Sequence, residues 1–154
     1  NASVRPRLSI IIPNYNEKAN IQAGAIEEVE NYLKSAKFTW EVIISDDGSS
    51  DGSRDLIEKT IKDKSGFRLL KNPHSGKAGA IWYGIQAAKG EIVLFSDMDQ
   101  STPLKEIEKL LPWYDKGYEV VFGSRGTMRE NFPLIRQLAS WSFRSSWLKK
   151  EATN

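Results

Sequence analysis

Two aspartates one residue apart, Asp97 and Asp99, end the apolar run in "EIVLFSDMDQS" (Glu91 to Ser101). Like charges that close repel, so their pairing implies a neighbour that neutralises or uses them. Side chains two apart in an extended segment point the same way. The pair therefore aims at one point if the chain stays extended past Ser96. Converging carboxylates are hard oxygen ligands and suit Mg2+ or Mn2+. The plainer alternative is two solvated loop acids, since D-x-D is a short pattern.

A second acidic loop, "DDGSSDGS" (46–53), follows another apolar run. Asp46 and Asp47 could accept from the N–H edge of a nucleobase or from a ribose hydroxyl, while Asp51 caps the next helix. The segment "HSGKAGA" (74–80) opens a helix, with Gly76 and Gly79 permitting close backbone approach. Lys77 in it could meet a phosphate or a carboxylate. His74 reads as a loop residue, with a catalytic role as the alternative. G-x-x-x-x-G-K-[ST] is absent, and no G-x-G-x-x-G follows a strand, which argues against Walker-type and dinucleotide sites.

The elements that must position these residues are legible as hydrophobic runs. Five are short and mostly continuous: Leu8–Ile12, Trp40–Ser45, Phe67–Lys71, Glu91–Ser96 and Tyr118–Ser124. Continuous Ile/Val/Phe runs are how strands covered on both faces read. Between them, 3.6-residue patterns predict helices over Asn20–Ser35, Ser53–Lys64, Gly76–Lys89 and Pro103–Lys116, the last with Thr102 as N-cap before a first-turn proline. Alternating strands and helices imply an α/β fold with a parallel sheet. "PNYNE" (13–17), the 46–53 loop, "DMDQS" (97–101) and "GSR" (123–125) then all emerge at the carboxyl edge, where open α/β sheets bind ligands.

Composition bounds the rest. The chain has 154 residues, 40% hydrophobic and 27% charged, with net charge +2, too little for a general nucleic-acid binder. It has no cysteine and one histidine, which excludes disulfides and Cys- or His-rich metal clusters. No apolar run reaches the ~18–20 residues of a membrane span. The tail is different in kind: Leu134, Leu138, Trp141 and Leu148 share a helical stripe, with Phe143 and Trp147 beside it and Arg136, Arg144, Lys149 and Lys150 around it. Such a helix suits an anionic membrane surface, or equally packing on the domain or a partner chain. Two regions are expected: a core over 1–133 and an amphipathic basic, aromatic tail over 134–154.

The ordered set "IIIPNYNE", "EVIISDDGSSDGS", "GKAGA…G", "FSDMDQSTP" and "VVFGSR" resembles the family-2 glycosyltransferases of GT-A fold. Among them it is most similar to the polyprenyl-phosphate (dolichyl-phosphate-type) mannosyl- and glucosyltransferases. The resemblance runs from about Leu8 to about Ser140. It implies a Rossmann-like, mostly parallel sheet with helices on both faces. It implies that Pro13, Tyr15 and Glu17 frame the nucleobase and ribose, that Asp47 binds the base edge with Asp46 beside it, and that Lys77 lies near the nucleotide. Asp97 and Asp99 would bridge the diphosphate through Mg2+ or Mn2+, and Arg125 and Arg136 would hold the acceptor phosphate. Two departures stand out: Gln100 adjoins the second aspartate, where some relatives have glutamine two residues past it, and the acceptor-side segment that follows "GSR" in relatives is missing. The chain therefore reads as a truncated catalytic domain, or one with residues omitted, whose own activity is open.

The resemblance further implies a metal-dependent transfer of a hexose from a UDP- or GDP-linked donor. A sugar hydroxyl as acceptor would need a general base, and beyond "GSR" only Glu130 and Glu151 are available, neither in a recognisable setting. A lipid phosphate is already anionic and needs cations instead; Arg125, Arg129 and Arg136 supply them. A polyprenyl-phosphate acceptor is thus expected, at the cytoplasmic face of a membrane, with inversion implied by the family. The alternatives are transfer to a growing polysaccharide, and a nucleotide-binding domain without turnover. A phospho-receiver domain fits less well, since its acids would follow strands one and three, with a lysine after strand five.

Overall fold

The structure, a computed structural model, describes residues 4–98. In chain order the elements are β1 (Leu8–Asn14), α1 (Lys18–Gln22), α2 (Ala25–Lys34), β2 (Trp40–Asp46), α3 (Ser53–Ile61), β3 (Phe67–Lys71), α4 (Lys77–Ala87) and β4 (Ile92–Phe95). The four strands form one sheet in the order β3-β2-β1-β4, every neighbouring pair parallel. Leu8 of β1 stands opposite Trp40 of β2 on one side and Ile92 of β4 on the other. The expected fifth strand, the helix over 103–116 and the tail over 134–154 lie outside the described residues.

Both faces of the sheet are covered, which is why β1 and β2 carry so little polar alternation. Leu8, Ile10, Ile12, Val42, Ile44, Ile92 and Leu94 share one core with Ile21, Ile26, Val29, Leu33 and Ile57 of α1 to α3. Each such burial contributes roughly 1.5–3 kcal/mol. The alternate residues face α4. A Cβ added at Gly84 would come 2.5 Å from Ile11 Cγ2, so the missing side chain is what lets α4 approach β1. The Ser45 hydroxyl donates to the Ala80 carbonyl at 2.6 Å, tying α4 to β2.

One expected helix is two. The pattern over Asn20–Ser35 is broken at Gly24, whose φ of 96° is left-handed, and α2 begins at Ala25. At about 100° per residue, Ile21 and Ile26 would lie roughly 140° apart on a continuous helix. The break lets both reach the same core. The last two helices are shorter than the periodicity suggests, α3 ending at Ile61 and α4 at Ala87. After α4 the chain passes hard against β1: the Gly90 amide donates to Ser9 Oγ at 2.8 Å, and a Cβ on Gly90 would come 2.5 Å from that oxygen.

The carboxyl ends of the strands are tied by one buried acid. Asp46 ends β2 with its side chain fully buried. Its Oδ1 accepts from Asn14 Nδ2 and from the Ser49 hydroxyl, each at 2.6 Å. Its Oδ2 accepts from the Gly48 and Ser49 amides at 3.0 Å and pairs with the Arg54 guanidinium. Arg54 also donates to the Asn72 carbonyl at 2.7 Å, just past β3. Asp46 was expected beside Asp47 at a ligand; instead it faces inward, because neighbouring residues of an extended chain point to opposite sides. Burial pushes its carboxyl pKa up, but the Ser49 hydroxyl, Arg54, the Ser49 amide and Asn14 together bring it below the ordinary value of 3.8. Asp51 was expected to cap α3, but the N-cap is Gly52, at φ 85°; Asp51 stands one residue before it, where its oxygens accept from the Ser53 amide at the start of α3 (2.9 Å) and from the Lys18 amide at the start of α1 (3.0 Å).

Gly84→Val should destabilise the protein by about 2–3 kcal/mol through overpacking against Ile11, read as a lower urea midpoint at unchanged slope. Asp46→Asn should cost about 3 kcal/mol at neutral pH, since it leaves Arg54 without its buried partner. A carboxyl whose folded pKa is depressed stabilises fully above 3.8 and loses that contribution as pH falls through the folded value. Unfolding curves between pH 2.5 and 6 should therefore show a shallower acid limb for Asp46→Asn than for the wild type.

Candidate functional site

A cleft of ≈ 430 Å³ opens at the carboxyl edge of the sheet. Its walls come from the segment after β1 (Pro13, Asn14, Tyr15, Glu17), from Asp47 after β2, from the turn into α4 (His74, Gly76, Lys77, Ala80), and from Asp97 and Met98 after β4. The chain leaves β1 toward β2 and β3 and returns on the other side of β1 as β4. The cleft thus lies at the reversal of strand order, where the loops on either side diverge. Of the residues singled out from the sequence, Pro13, Tyr15, Glu17, Asp47, His74, Gly76, Lys77 and Asp97 line it. Asp46 does not, being engaged beneath it. Asp99, Arg125 and Arg136 lie outside the described residues.

Asp47 holds the turn that leads into α4. Its Oδ1 accepts from the Ser75 amide at 2.7 Å and its Oδ2 from the Gly76 amide at 3.0 Å. His74 Nδ1 lies 2.9 Å from the same Oδ2 and 3.0 Å from the Asp47 carbonyl oxygen. Two acceptors on one ring nitrogen require that Nδ1 carry the proton. A carboxylate next to the first turn of a helix also meets its positive end. Gly48, at φ 85°, makes the approach possible, since a Cβ there would come 3.2 Å from His74 Cβ and from its backbone nitrogen. The His74 ring stacks on Tyr15 with centroids 4.7 Å apart and planes 29° apart, which gives the cleft an aromatic rim.

On the other wall, Lys77 Nζ lies 2.6 Å from Asp97 Oδ1. Lys77 is the first residue of α4, and Asp97 follows β4 by two residues. The ladder is prolonged by one bond, from the Ser96 amide to the Ile11 carbonyl at 2.9 Å, and the chain turns at Met98. Asp99, the second member of the acidic pair, lies outside the described residues. Among the described residues no group of three or more His, Cys, Asp or Glu is placed to hold a metal. On this wall they supply one hard-oxygen ligand, Asp97; Glu17 and Asp47 are the other carboxylates that line the cleft.

Asn14, Ala80 and Met98 line the cleft without having been singled out from the sequence. Asn14 carries the most chemistry. Its Nδ2 donates to Asp46 and lies 3.2 Å from both Ser49 Oγ and Ser53 Oγ, while its Oδ1 is buried without a hydrogen-bond partner among the described residues. Its signal was a polar residue at the end of an otherwise apolar strand, overshadowed by its charged neighbours. Ala80 and Met98 have no sequence signal beyond hydrophobicity.

Comparisons with known proteins agree with this geometry. The family model described as glycosyl transferase family 2 matches residues 9–152. The undecaprenyl-phosphate 4-deoxy-4-formamido-L-arabinose transferase of Pectobacterium carotovorum is 36% identical over 137 residues, 86% of this chain and 40% of the relative. That of Aeromonas hydrophila is 35% identical over 148 residues, 95% of this chain and 40% of the relative. The chain thus spans about 40% of the length of these relatives. Among solved structures, the mannosyltransferase PcManGT from Pyrobaculum calidifontis, in complex with GDP-Man and Mn2+, superposes with a TM-score of 0.57 at 26% identity, over 72% of this chain and 33% of its own. S. aureus TarS 1-349 in complex with UDP-GlcNAc does so at 0.53 and 26%, over 71% of this chain and 32% of its own. With five motifs in order, a parallel sheet of GT-A type and a cleft at its switch point, the chain belongs to glycosyl transferase family 2.

Proposed function

We propose that the protein containing this chain transfers a sugar from a nucleotide-sugar to a polyprenyl phosphate. The observation that carries the reading is the convergence of Tyr15, Glu17, Asp47, Lys77 and Asp97, from four separate segments, on one cleft at the β1–β4 switch point. The names of the curated relatives favour a lipid phosphate as acceptor. The GDP-Man and UDP-GlcNAc complexes of PcManGT and TarS favour a nucleotide-sugar as donor, with the base undecided between them.

In this reading the Tyr15–His74 stack receives the face of the base, and Glu17 lies toward the ribose. Asp47 accepts from the base edge with the lone-pair capacity left by the 74–76 turn. Asp97 is a hard oxygen ligand at the cleft wall, which fits Mg2+ or Mn2+, and Asp99 would complete the pair. Such an ion, when bound, neutralises charge on the departing nucleotide diphosphate. The Lys77 ammonium adds a second positive charge on the same wall. The acceptor phosphate is anionic at neutral pH, so it needs positioning rather than deprotonation; Arg125 and Arg136 are the residues for that role. Among the described residues no helix is long and apolar enough to cross a membrane. The basic, aromatic segment 134–154 is the part of this chain suited to contact with a lipid acceptor.

The test is transfer by the full-length protein from UDP- and GDP-sugars to a short polyprenyl phosphate in the presence of Mn2+. Lipid-linked product is expected from one donor, and Asp97→Asn should lower kcat by at least about 100-fold. Product on a glycan but not on the lipid would replace the acceptor. Nucleotide binding with neither hydrolysis nor transfer would make the domain a binding module.

A further inference from the structure

Lys77 is the one lysine or arginine among the described residues that line the cleft, and its charge is already committed to Asp97. The two groups differ in freedom. The Asp97 side chain is 14% exposed, just past a strand end held by the Ser96–Ile11 bond. The Lys77 side chain is 57% exposed, on a four-carbon stem rooted where Asp47 anchors the start of α4. The carboxylate is therefore the fixed partner and the ammonium the movable one. Tyr15, Glu17, Asp47 and His74 are the other charged or titratable groups among the described residues that line the cleft, so among them Lys77 is the one lysine or arginine facing the acids.

We propose that Lys77 is a counter-ion exchanged during donor binding: it neutralises Asp97 until a divalent cation takes that carboxylate, and then turns to the diphosphate of the donor. This rests on the reading of the cleft as a nucleotide-sugar site. The reason is electrostatic. An ammonium 2.6 Å from a carboxylate oxygen competes with any second cation for it. Once displaced, it stands in the same cleft as a ligand that brings at least two negative charges, and Lys binds phosphate as a flexible point charge. Lys77 thus lowers the affinity for the metal alone and raises the affinity for metal and nucleotide together. A lysine with a purely structural role would affect neither.

The experiment compares the full chain with Lys77→Met, Lys77→Arg and Asp97→Asn. Mn2+ binding without nucleotide is followed by the electron paramagnetic resonance of free Mn2+, and UDP and GDP binding at saturating Mn2+ by calorimetry. Lys77→Met should bind Mn2+ alone about fivefold more tightly and the nucleoside diphosphate about tenfold more weakly, while Lys77→Arg stays near wild type in both. Circular dichroism confirms the fold of each variant, and Lys77→Gln repeats the measurement with a polar side chain. Unchanged or weaker Mn2+ binding in both neutral variants overturns the exchange. Mn2+ binding that survives Asp97→Asn, or a wild type that binds no nucleoside diphosphate, overturns the cleft reading beneath it as well.

Discussion

The carboxylate of Asp46 is the constraint on which the carboxyl edge of this sheet depends. It is fully buried, so its charge is tolerable only because every approach to it is a donor: Asn14, the hydroxyl and amide of Ser49, the amide of Gly48, and Arg54. Those donors belong to the end of β1, the loop after β2 and the first turn of α3. Arg54 then reaches the chain just past β3. A single desolvated charge thereby fixes the relative positions of three strand ends, and the cleft stands on that platform.

Asp47, one residue on, shows how the same dipeptide serves two layers. Asp46 turns inward to the platform, and Asp47 turns toward the turn before α4, where its oxygens hold the Ser75 and Gly76 amides. That anchoring sets where α4 begins, and with it the root of Lys77 and the His74 ring against Tyr15. From the other side, the absence of a side chain at Gly84 brings α4 down onto Ile11. The lysine and the aromatic rim of the cleft are thus positioned by a carboxylate that lines the cleft and by a missing side chain that does not.

Much of this was legible in the residues. The continuous apolar runs of β1 and β2 announced a sheet covered on both faces, and the polar segments after them announced one working edge. The single-residue break at Gly24 was less legible: the apolar spacing across it fits a helix tolerably well, and only the need to bury Ile21 with Ile26 against the same strands decides for two. Asn14 was passed over because a neutral amide beside Tyr15 and Glu17 carries no obvious chemistry until burial leaves its Oδ1 unpartnered.

What the amino-acid order alone determined is the set of local choices: strand or helix by hydrophobic period, turns by glycine and aspartate, and a family resemblance by five motifs in sequence. What only the tertiary structure decided is which of two adjacent aspartates faces the interior, that Asp47 is engaged by the 74–76 turn, and that Lys77 rests on Asp97. The reason is that a side chain's partners across the sheet lie 20 to 40 residues away in the chain, as for Lys77 and Asp97 or Asn14 and Ser53. Local periodicity specifies which way a residue points along its own element, and long-range packing specifies what it meets there.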